Sequence, residues 1–261
     1  MISVYPNAEP MLIDSHLHLD PSGGVTAAEA VARLTQEMCQ CEMRRAVVLH
    51  LQWQPWPVEE FAEAVNGQPH LIGFVNVDPT QDGAVEALNA AVAMGFRGVK
   101  LHPRLQGYRP DDPRCVAVTR RAGTLGFPVI IDCFPDGRWL MAGLNVMQYA
   151  RLACEAPETR IVVAHAAGHY CMELLMLAKR IPNLWWDISF SWLYYEGPVI
   201  ESMAWCMKSA RYEKVLFGTD YPDRRLAESV GRSLDLLKSF HVDEEARDKL
   251  LWKNAKLLLG L

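Results

Sequence analysis

The chain has 261 residues, of which 50% are apolar and 22% charged, and its 26 basic and 31 acidic side chains give a net charge of −5. This balance is typical of a folded protein with a large core, and it excludes a disordered chain or a basic nucleic-acid-binding tail. No apolar run could span a bilayer, and the N-terminal MISVYPNAEP lacks the features of a signal peptide. Seven cysteines without zinc-type spacing predict reduced thiols in a cytoplasmic protein.

Short apolar runs alternate with stretches of helical periodicity along the whole chain. The runs start every 23 to 34 residues, at 11–16, 45–51, 71–77, 96–102, 127–132, 160–165, 183–189 and 215–220. Each interval is long enough for a helical crossover, and no run is degraded by internal proline or charge to the extent typical of an edge strand. The pattern predicts an α/β fold in which residues 1–261 form one domain, a single (β/α)8 TIM barrel. Residues 243–261 are predicted to form a closing amphipathic helix.

Polar residues recur where the predicted strands end. In a barrel of this type the loops that follow the strands converge at the carboxyl ends and form the site. The polar residues at these ends are His16, His18, Lys100, His102, Asp132, His165, Asp187, Ser189 and Asp220. Because side chains alternate along a strand, His16 and His18 are predicted to point the same way, as are Lys100 and His102.

Two histidines on the first strand and a carboxylate on the eighth indicate a site for a divalent metal ion. Imidazole and carboxylate are ligands of zinc, and three protein ligands leave a position open for a water whose pKa falls towards ~7. We predict that His16, His18 and Asp220 hold the ion and that Asp220 also acts as general base. His165 would polarise the substrate carbonyl or help to hold the metal. No organic cofactor is predicted.

Candidate substrate contacts lie at the strand ends and on the loops that follow them. They are Lys100, His102, Arg104, Arg138, His169 and Tyr221, with aromatic side chains nearby at Trp53, Trp56, Trp192, Tyr194 and Tyr195. Guanidinium groups suit the recognition of carboxylates, and aromatic walls suit a flat ring. The predicted partner is therefore a small molecule, carboxylated and cyclic or aromatic, and neither a nucleic acid nor a membrane.

Six motifs in chain order resemble the amidohydrolase superfamily, in particular its amidohydrolase-2 branch. They are IDSHLHLD (13–20), GVKLHP (98–103), FPVIID (127–132), IVVAHAAG (161–168), VLFGTDYP (215–222) and KNAKLLLGL (253–261). The resemblance implies that His16 and His18 bind the metal, that Asp220 is ligand and base, and that His165 assists catalysis. Relatives in this branch include decarboxylases and a pyrone-dicarboxylate lactonase, and many form homodimers.

Asp132 departs from the family pattern, in which a metal-binding histidine ends the fifth strand. We predict that Asp132 serves as a further ligand, for zinc first and manganese second, because carboxylate oxygen suits both ions. The alternative is a metal-free member like the lactonase relatives. A carboxylated Lys100 bridging two metals, as in other branches, is the less favoured variant.

Three functions follow from these residues. The first is a metal-dependent hydrolase that cleaves a small ester, lactone or amide with activated water. The second is a non-oxidative decarboxylase of an aromatic or unsaturated acid, in which the same base protonates carbon. The third is a barrel that binds a ligand without catalysis. Hydrolysis leads by analogy, because it is the commonest chemistry of the superfamily.

Overall fold

The computed structural model describes residues 12–261, and its core is a parallel eight-stranded sheet in which each strand pairs with the next along the chain. The strands are β1 (Ile13–Leu17), β2 (Arg45–Leu49), β3 (Leu71–Asn76), β4 (Gly98–Leu101), β5 (Val129–Ile131), β6 (Ile161–Val163), β7 (Leu184–Asp187) and β8 (Val215–Leu216). All eight predicted runs are confirmed as strands. The predicted absence of a signal peptide concerns residues 1–11, which lie outside the described part of the chain.

Backbone hydrogen bonds between the last and first strands close the sheet. The Ser15 N–H donates to the Phe217 carbonyl at 2.9 Å, and just beyond β8 the Asp220 N–H donates to the His16 carbonyl at 2.8 Å. These bonds bring the end of β8 directly against β1. The architecture is therefore the predicted (β/α)8 TIM barrel.

Helices connect the strands on the outside of the barrel. They are α1 (Ala27–Gln40), α2 (Val58–Asn66), α3 (Ala84–Ala93), α4 (Pro103–Gln106), α5 (Pro113–Thr124), α6 (Gly137–Met141), α7 (Val146–Glu155), α8 (Cys171–Ala178), α9 (Ser191–Tyr194), α10 (Pro198–Ser209), α11 (Leu226–Ser239), α12 (Glu244–Asp248) and α13 (Asn254–Leu259). The predicted closing helix is interrupted, because a π-helical turn at Lys249–Lys253 separates α12 from α13. Within residues 12–261, every helix is too short or too polar to traverse a bilayer.

The buried apolar side chains form two layers. Inside the barrel lie Ile13, Val47, Leu49, Ile72, Phe74, Ile130, Val162, Ala164, Trp185 and Leu216, joined by Ala255 and Leu258 of α13. A larger layer packs between the strands and the outer helices. Since apolar side chains fill the lumen, the barrel is a solid scaffold that holds the strand ends in place.

A bulge in β1 directs the two histidines into the barrel. The pairing register with β2 shifts between Asp14 and Leu17, so β1 carries one extra residue there. Ile13 accordingly belongs to the layer inside the barrel, whereas Leu17 packs in the outer layer. In an unbroken strand, residues 13 and 17 would face the same side. The bulge lets both Ile13 and His16 face the lumen.

The buried His50 predicts a specific acid sensitivity of the fold. Its side chain is 4% exposed, and burial, followed by the charge of His18, lowers its pKa to about 4. Because the unfolded chain has a histidine pKa of about 6.5, unfolding between these two values takes up a proton, and stability falls as the pH falls through this window. His50→Gln should make the pH dependence of the unfolding free energy shallower by up to about 1.4 kcal/mol per pH unit. Urea unfolding of the wild type and of His50→Gln at pH 5 and pH 7 measures this difference. An equal change in unfolding free energy between the two pH values in both proteins would contradict the prediction.

Candidate active site

The two imidazoles of β1 are held with their Nε2 atoms directed at one carboxylate oxygen. The His16 Nδ1 lies 2.9 Å from Asp187 Oδ2, and the His18 Nδ1 lies 2.9 Å from the Leu49 carbonyl. Since both partners are acceptors, each Nδ1 donates its proton and each Nε2 keeps a free lone pair. Both Nε2 atoms lie 3.4 Å from Asp220 Oδ1.

These three atoms fit a divalent metal ion. The ligand atoms of His16, His18 and Asp220 all lie within 4.8 Å of one another. Two ligands of a tetrahedral zinc are about 3.4 Å apart when each lies about 2.1 Å from the ion. Histidines that donate the other ring nitrogen to an oxygen acceptor are typical of zinc sites. The arrangement therefore matches a metal centre in both ligand type and spacing.

Asp187, at the end of β7, organises this centre from behind. Its Oδ2 accepts from His16, and its Oδ1 accepts from the backbone N–H groups of His165 and Ser189, both at 3.0 Å, and from the Ser189 hydroxyl. Burial raises the pKa of Asp187, but the neighbouring His16 and His165 and these hydrogen bonds outweigh it and hold the pKa well below its usual range. His16, His165 and Asp187 form a second cluster of ligand-type atoms. We interpret this second cluster as a support for the metal centre and not as a second metal site, because the His16 Nδ1 and the Asp187 carboxylate already bond each other.

His165 lies in a strained segment just after β6. His165, Ala166 and Ala167 have φ angles of 60°, 49° and 54°, a left-handed region that side chains other than glycine rarely adopt. The His165 N–H bond to Asp187 helps to hold this conformation. The ring Nδ1 donates to the Ser189 carbonyl at 3.1 Å. Strain of this kind is common at functional sites, where surrounding contacts sustain it.

Asp220 is the carboxylate best placed to act as a base. It follows β8 with a φ of 58°, and its side chain is one-fifth exposed. Burial raises its pKa, but the hydrogen bond from His18 and the neighbouring charges of His165 and His16 lower it far below the usual range. Asp220 is thus ionised at neutral pH, as both a metal ligand and a proton acceptor require.

Lys100 places a cation inside the same cluster. Its side chain is only 1% exposed, and its Nζ lies 3.0 Å from the His16 Nε2. Burial lowers the pKa of Lys100, whereas the charges of Asp132, Asp220 and Asp187 act in the opposite direction. The ammonium group is close enough to donate to the lone pair that a metal would use.

Asp132 occupies the end of β5, but its oxygens face a guanidinium group. Arg104 Nε lies 3.1 Å from Asp132 Oδ2, and Arg104 Nη2 lies 3.2 Å from Oδ1. Within residues 12–261, Asp132 belongs to neither cluster of three metal-ligating side chains. Its role as a ligand, and that of Arg104 in binding substrate, stay predictions of the sequence. The structure pairs the two side chains with each other.

The other predicted substrate contacts are spread around the site. His102 is buried, with its Nε2 3.6 Å from Asp132 Oδ1. His169 is exposed and its ring lies 3.3 Å from the Tyr195 hydroxyl, while Arg138 is exposed in α6. Tyr221 is buried, and its backbone carbonyl accepts from the His18 N–H at 2.8 Å. Substrate binding by these residues stays a prediction.

Four residues that help to build this site were given no role in it by the sequence. Asp187 and Ser189 were visible as polar residues at the end of a strand, which is the signal that could have identified them. Asp14 joins β1 to β8 by accepting from the Thr219 hydroxyl at 2.6 Å. Asp136 accepts from Arg104 Nη1 at 2.6 Å, and no spacing in the sequence indicates that pair.

Aromatic rings form a wall beside His165. Phe134 and Phe190 contact each other edge to face at 4.8 Å, and their ring centres lie 6.0 and 6.2 Å from that of His165. Tyr194 stacks on Phe190 at 5.0 Å, and Tyr195 lies beside it. By contrast, Trp56 and Trp192 are buried. The wall offers aromatic surface for a ring next to the polar cluster.

Gly218 allows β8 to approach His16 closely. A Cβ atom at this position would lie 2.8 Å from the His16 Cβ and 3.0 Å from the Ser189 Cβ. Gly218→Ala should therefore push His16 out of position and lower kcat by about 10²-fold, since a shift of about 1 Å in a site costs that much. Gly231→Ala on the open surface of α11 is the matched control. Equal kcat for wild type and Gly218→Ala would show that the close approach is not required.

Comparison with known proteins agrees with this geometry. Residues 13–261 match the sequence profile of the amidohydrolase-2 family, described as amidohydrolase. The match spans nearly the whole described chain, so the chain belongs to the amidohydrolase family and the resemblance of its motifs is confirmed. The protein is an enzyme of this branch. No protein of curated function is significantly similar to it in sequence.

Solved structures share the fold at low sequence identity. An uncharacterized TIM-barrel protein from Bordetella bronchiseptica has a TM-score of 0.79 and 20% identity, covering 95% of this chain and 98% of that one. A probable 2-pyrone-4,6-dicarboxylic acid hydrolase from Acinetobacter baumannii with citric acid bound has a TM-score of 0.70 and 18% identity, covering 96% and 99%. The 5-carboxyvanillate decarboxylase from Sphingomonas paucimobilis has a TM-score of 0.67 and 13% identity, covering 96% and 99%. At these identities the likeness concerns the fold alone.

Proposed function

We propose that the protein is a metal-dependent hydrolase that cleaves a small ester, lactone or amide with activated water. The observation that carries the proposal is the position of Asp220 Oδ1, 3.4 Å from the Nε2 atoms of both His16 and His18. These three side chains would hold one divalent ion. When bound, such an ion supplies a Lewis acid that makes water nucleophilic near neutral pH.

The residues of the chain supply the remaining steps. Asp220, ionised at neutral pH, accepts the proton of the attacking water and returns it to the leaving group. Asp187 fixes the His16 ring and the backbone of His165. His165 is positioned to orient or polarise the substrate carbonyl. Its neighbours Asp132, Asp220 and Asp187 overcome the effect of burial and raise its pKa, which favours the hydrogen-bond-donating form.

The surroundings favour a small cyclic substrate. The wall of Phe134, Phe190, Tyr194 and Tyr195 lies next to His165 and suits a flat ring. Arg138 and His169 are the exposed basic side chains after β5 and β6 that could meet a carboxylate. One structural neighbour is described as a probable 2-pyrone-4,6-dicarboxylic acid hydrolase, which agrees with this choice.

The experiment is a substrate panel of aromatic and aliphatic lactones, esters and amides, each with and without a carboxylate. We expect hydrolysis of a cyclic, carboxylated member, measured by product formation and proton release. Aromatic and unsaturated acids are tested in parallel for released carbon dioxide. Carbon dioxide release without hydrolysis would instead support the decarboxylase, the activity of the Sphingomonas neighbour. Binding of panel members without turnover would support a binding protein.

Removal of Lys100 should strengthen metal binding. The Lys100 Nζ lies 3.0 Å from the His16 Nε2 and its charge opposes a second cation. Lys100→Met removes this competitor and leaves the nearby carboxylates without its countercharge. Zinc affinity, measured by competition with a chelating dye, should rise by about tenfold, equivalent to about 1.4 kcal/mol. Weaker zinc binding by Lys100→Met would show that the lysine supports the metal site.

A further inference from the structure

Asp132 is surrounded by hydrogen-bond donors on both of its oxygens. Its side chain is 1% exposed, and Arg104 donates to Oδ2 through Nε and to Oδ1 through Nη2. Arg104 is itself anchored, because its Nη1 donates to Asp136 Oδ2 at 2.6 Å. A paired guanidinium and carboxylate in this geometry form one of the strongest ion pairs in proteins.

This pairing makes Asp132 a poor ligand for a divalent cation. Both carboxylate oxygens already accept hydrogen bonds from Arg104, and their negative charge is balanced locally. A metal bound to the same oxygens would lie next to the guanidinium, and the two cations would repel each other. His16, His18 and Asp220 already supply three ligands without it.

The same carboxylate instead meets two imidazoles of the site. Asp132 Oδ1 lies 3.4 Å from the His165 Nε2 and 3.6 Å from the His102 Nε2. The opposite nitrogen of His165 donates to the Ser189 carbonyl, so Asp132 faces the ring nitrogen that remains for the substrate. Asp132 therefore connects β5 to the side chains that follow β4 and β6.

We propose that Asp132, held by Arg104, is a positioning residue that fixes the His165 and His102 rings and is not a ligand of the metal ion. The inference rests on the proposed function, because it assigns a role within the same site. It also assigns Arg104 to the support of Asp132. The carboxylate of the substrate must then be recognised elsewhere.

The test compares Asp132→Asn with two other variants of the purified protein. His18→Gln removes a ligand, and Asp111→Asn makes the same chemical change on a carboxylate that also bonds arginines, Arg109 and Arg151, but is not paired with either histidine. We expect Asp132→Asn to change zinc affinity by less than about tenfold, the lower limit for losing a residue that supports a metal ligand. With the substrate found in the panel, kcat should fall by about 10- to 100-fold and KM should change little.

A readout independent of turnover and of metal is the ring ¹⁵N spectrum of the histidines at a single pH. His165→Gln and His102→Gln identify the two sets of signals. Asp132→Asn should move both sets, whereas Asp111→Asn should leave both in place. Unmoved signals together with unchanged kcat would overturn the positioning role.

Loss of zinc binding by Asp132→Asn as complete as that of His18→Gln would show that Asp132 is a ligand and would overturn the proposal. If the wild type binds neither zinc nor manganese, the proposed metal dependence of the reaction is refuted. The ¹⁵N signals of His165 and His102 would still decide the role of Asp132. Arg104→Gln gives a second variant, which frees the carboxylate without removing it. A gain in zinc affinity of about tenfold or more in Arg104→Gln would also contradict the proposal.

Discussion

Asp220→Asn is expected to lower kcat by about 10³-fold or more while the protein stays folded. An amide cannot accept the proton of the attacking water, and loss of a general base alone costs about 10²- to 10⁴-fold. The substitution also weakens the ligand set, because Asp220 Oδ1 is the atom that both Nε2 groups of His16 and His18 face. The measurement is kcat on the substrate identified in the panel, with circular dichroism to establish folding.

The matched control is Asp223→Asn. Asp223 lies on the same loop, but its side chain is exposed and forms an ion pair with the neighbouring Arg224. This control variant should keep the kcat of the wild type within about twofold, because exposed ion pairs contribute little. An active Asp220→Asn would remove the base from the mechanism and would leave hydrolysis by this site without support.

Asp187→Asn is expected to be the most destabilising single change in the site. Each oxygen of Asp187 accepts from at least one buried donor, namely the His16 ring, the His165 and Ser189 N–H groups and the Ser189 hydroxyl. An amide must turn its NH₂ group towards one of these donors. The NH₂ group and the donor that it faces are then both left without an acceptor. Removing one partner of a buried charged network costs about 3–5 kcal/mol. Urea unfolding measures the loss of free energy.

The same variant should bind zinc about 10- to 100-fold more weakly, because Asp187 holds the tautomer and orientation of the His16 ring. Asp235→Asn, on the exposed surface of α11, provides the comparison and should change neither stability nor zinc affinity. A wild-type unfolding curve for Asp187→Asn would mean that the network behind His16 contributes nothing to the fold.

The strand positions and most of the central cluster could be predicted because their signals are local. Polar residues such as His16, His165 and Asp220 stand out at the ends of apolar runs, and the barrel topology brings such ends together. The order of the eight strands follows because every interval between the runs is long enough for one helical crossover. Lys100 was visible in the same way, although its contact with His16 was not.

Other features depend on contacts between distant segments. Arg104 reaches Asp132 and Asp136 across loops of two different strands, and no spacing rule indicates which carboxylate an arginine chooses. The left-handed turn after β6 includes Ala166 and Ala167, residues whose own preferences oppose that conformation. The bulge in β1 likewise follows from pairing with β2 and not from the β1 sequence alone.

Metal content tests the central claim most directly. Protein purified without chelator, supplemented with zinc or manganese and then dialysed, is analysed for bound metal in the wild type, His18→Gln and His50→Gln. His50 is a buried histidine outside the ligand group, so His50→Gln controls for the loss of an imidazole. We predict about one equivalent of metal in the wild type and in His50→Gln, and none in His18→Gln. A wild type that takes up neither ion, or a His18→Gln variant that keeps a full equivalent, would contradict a metal centre at His16, His18 and Asp220.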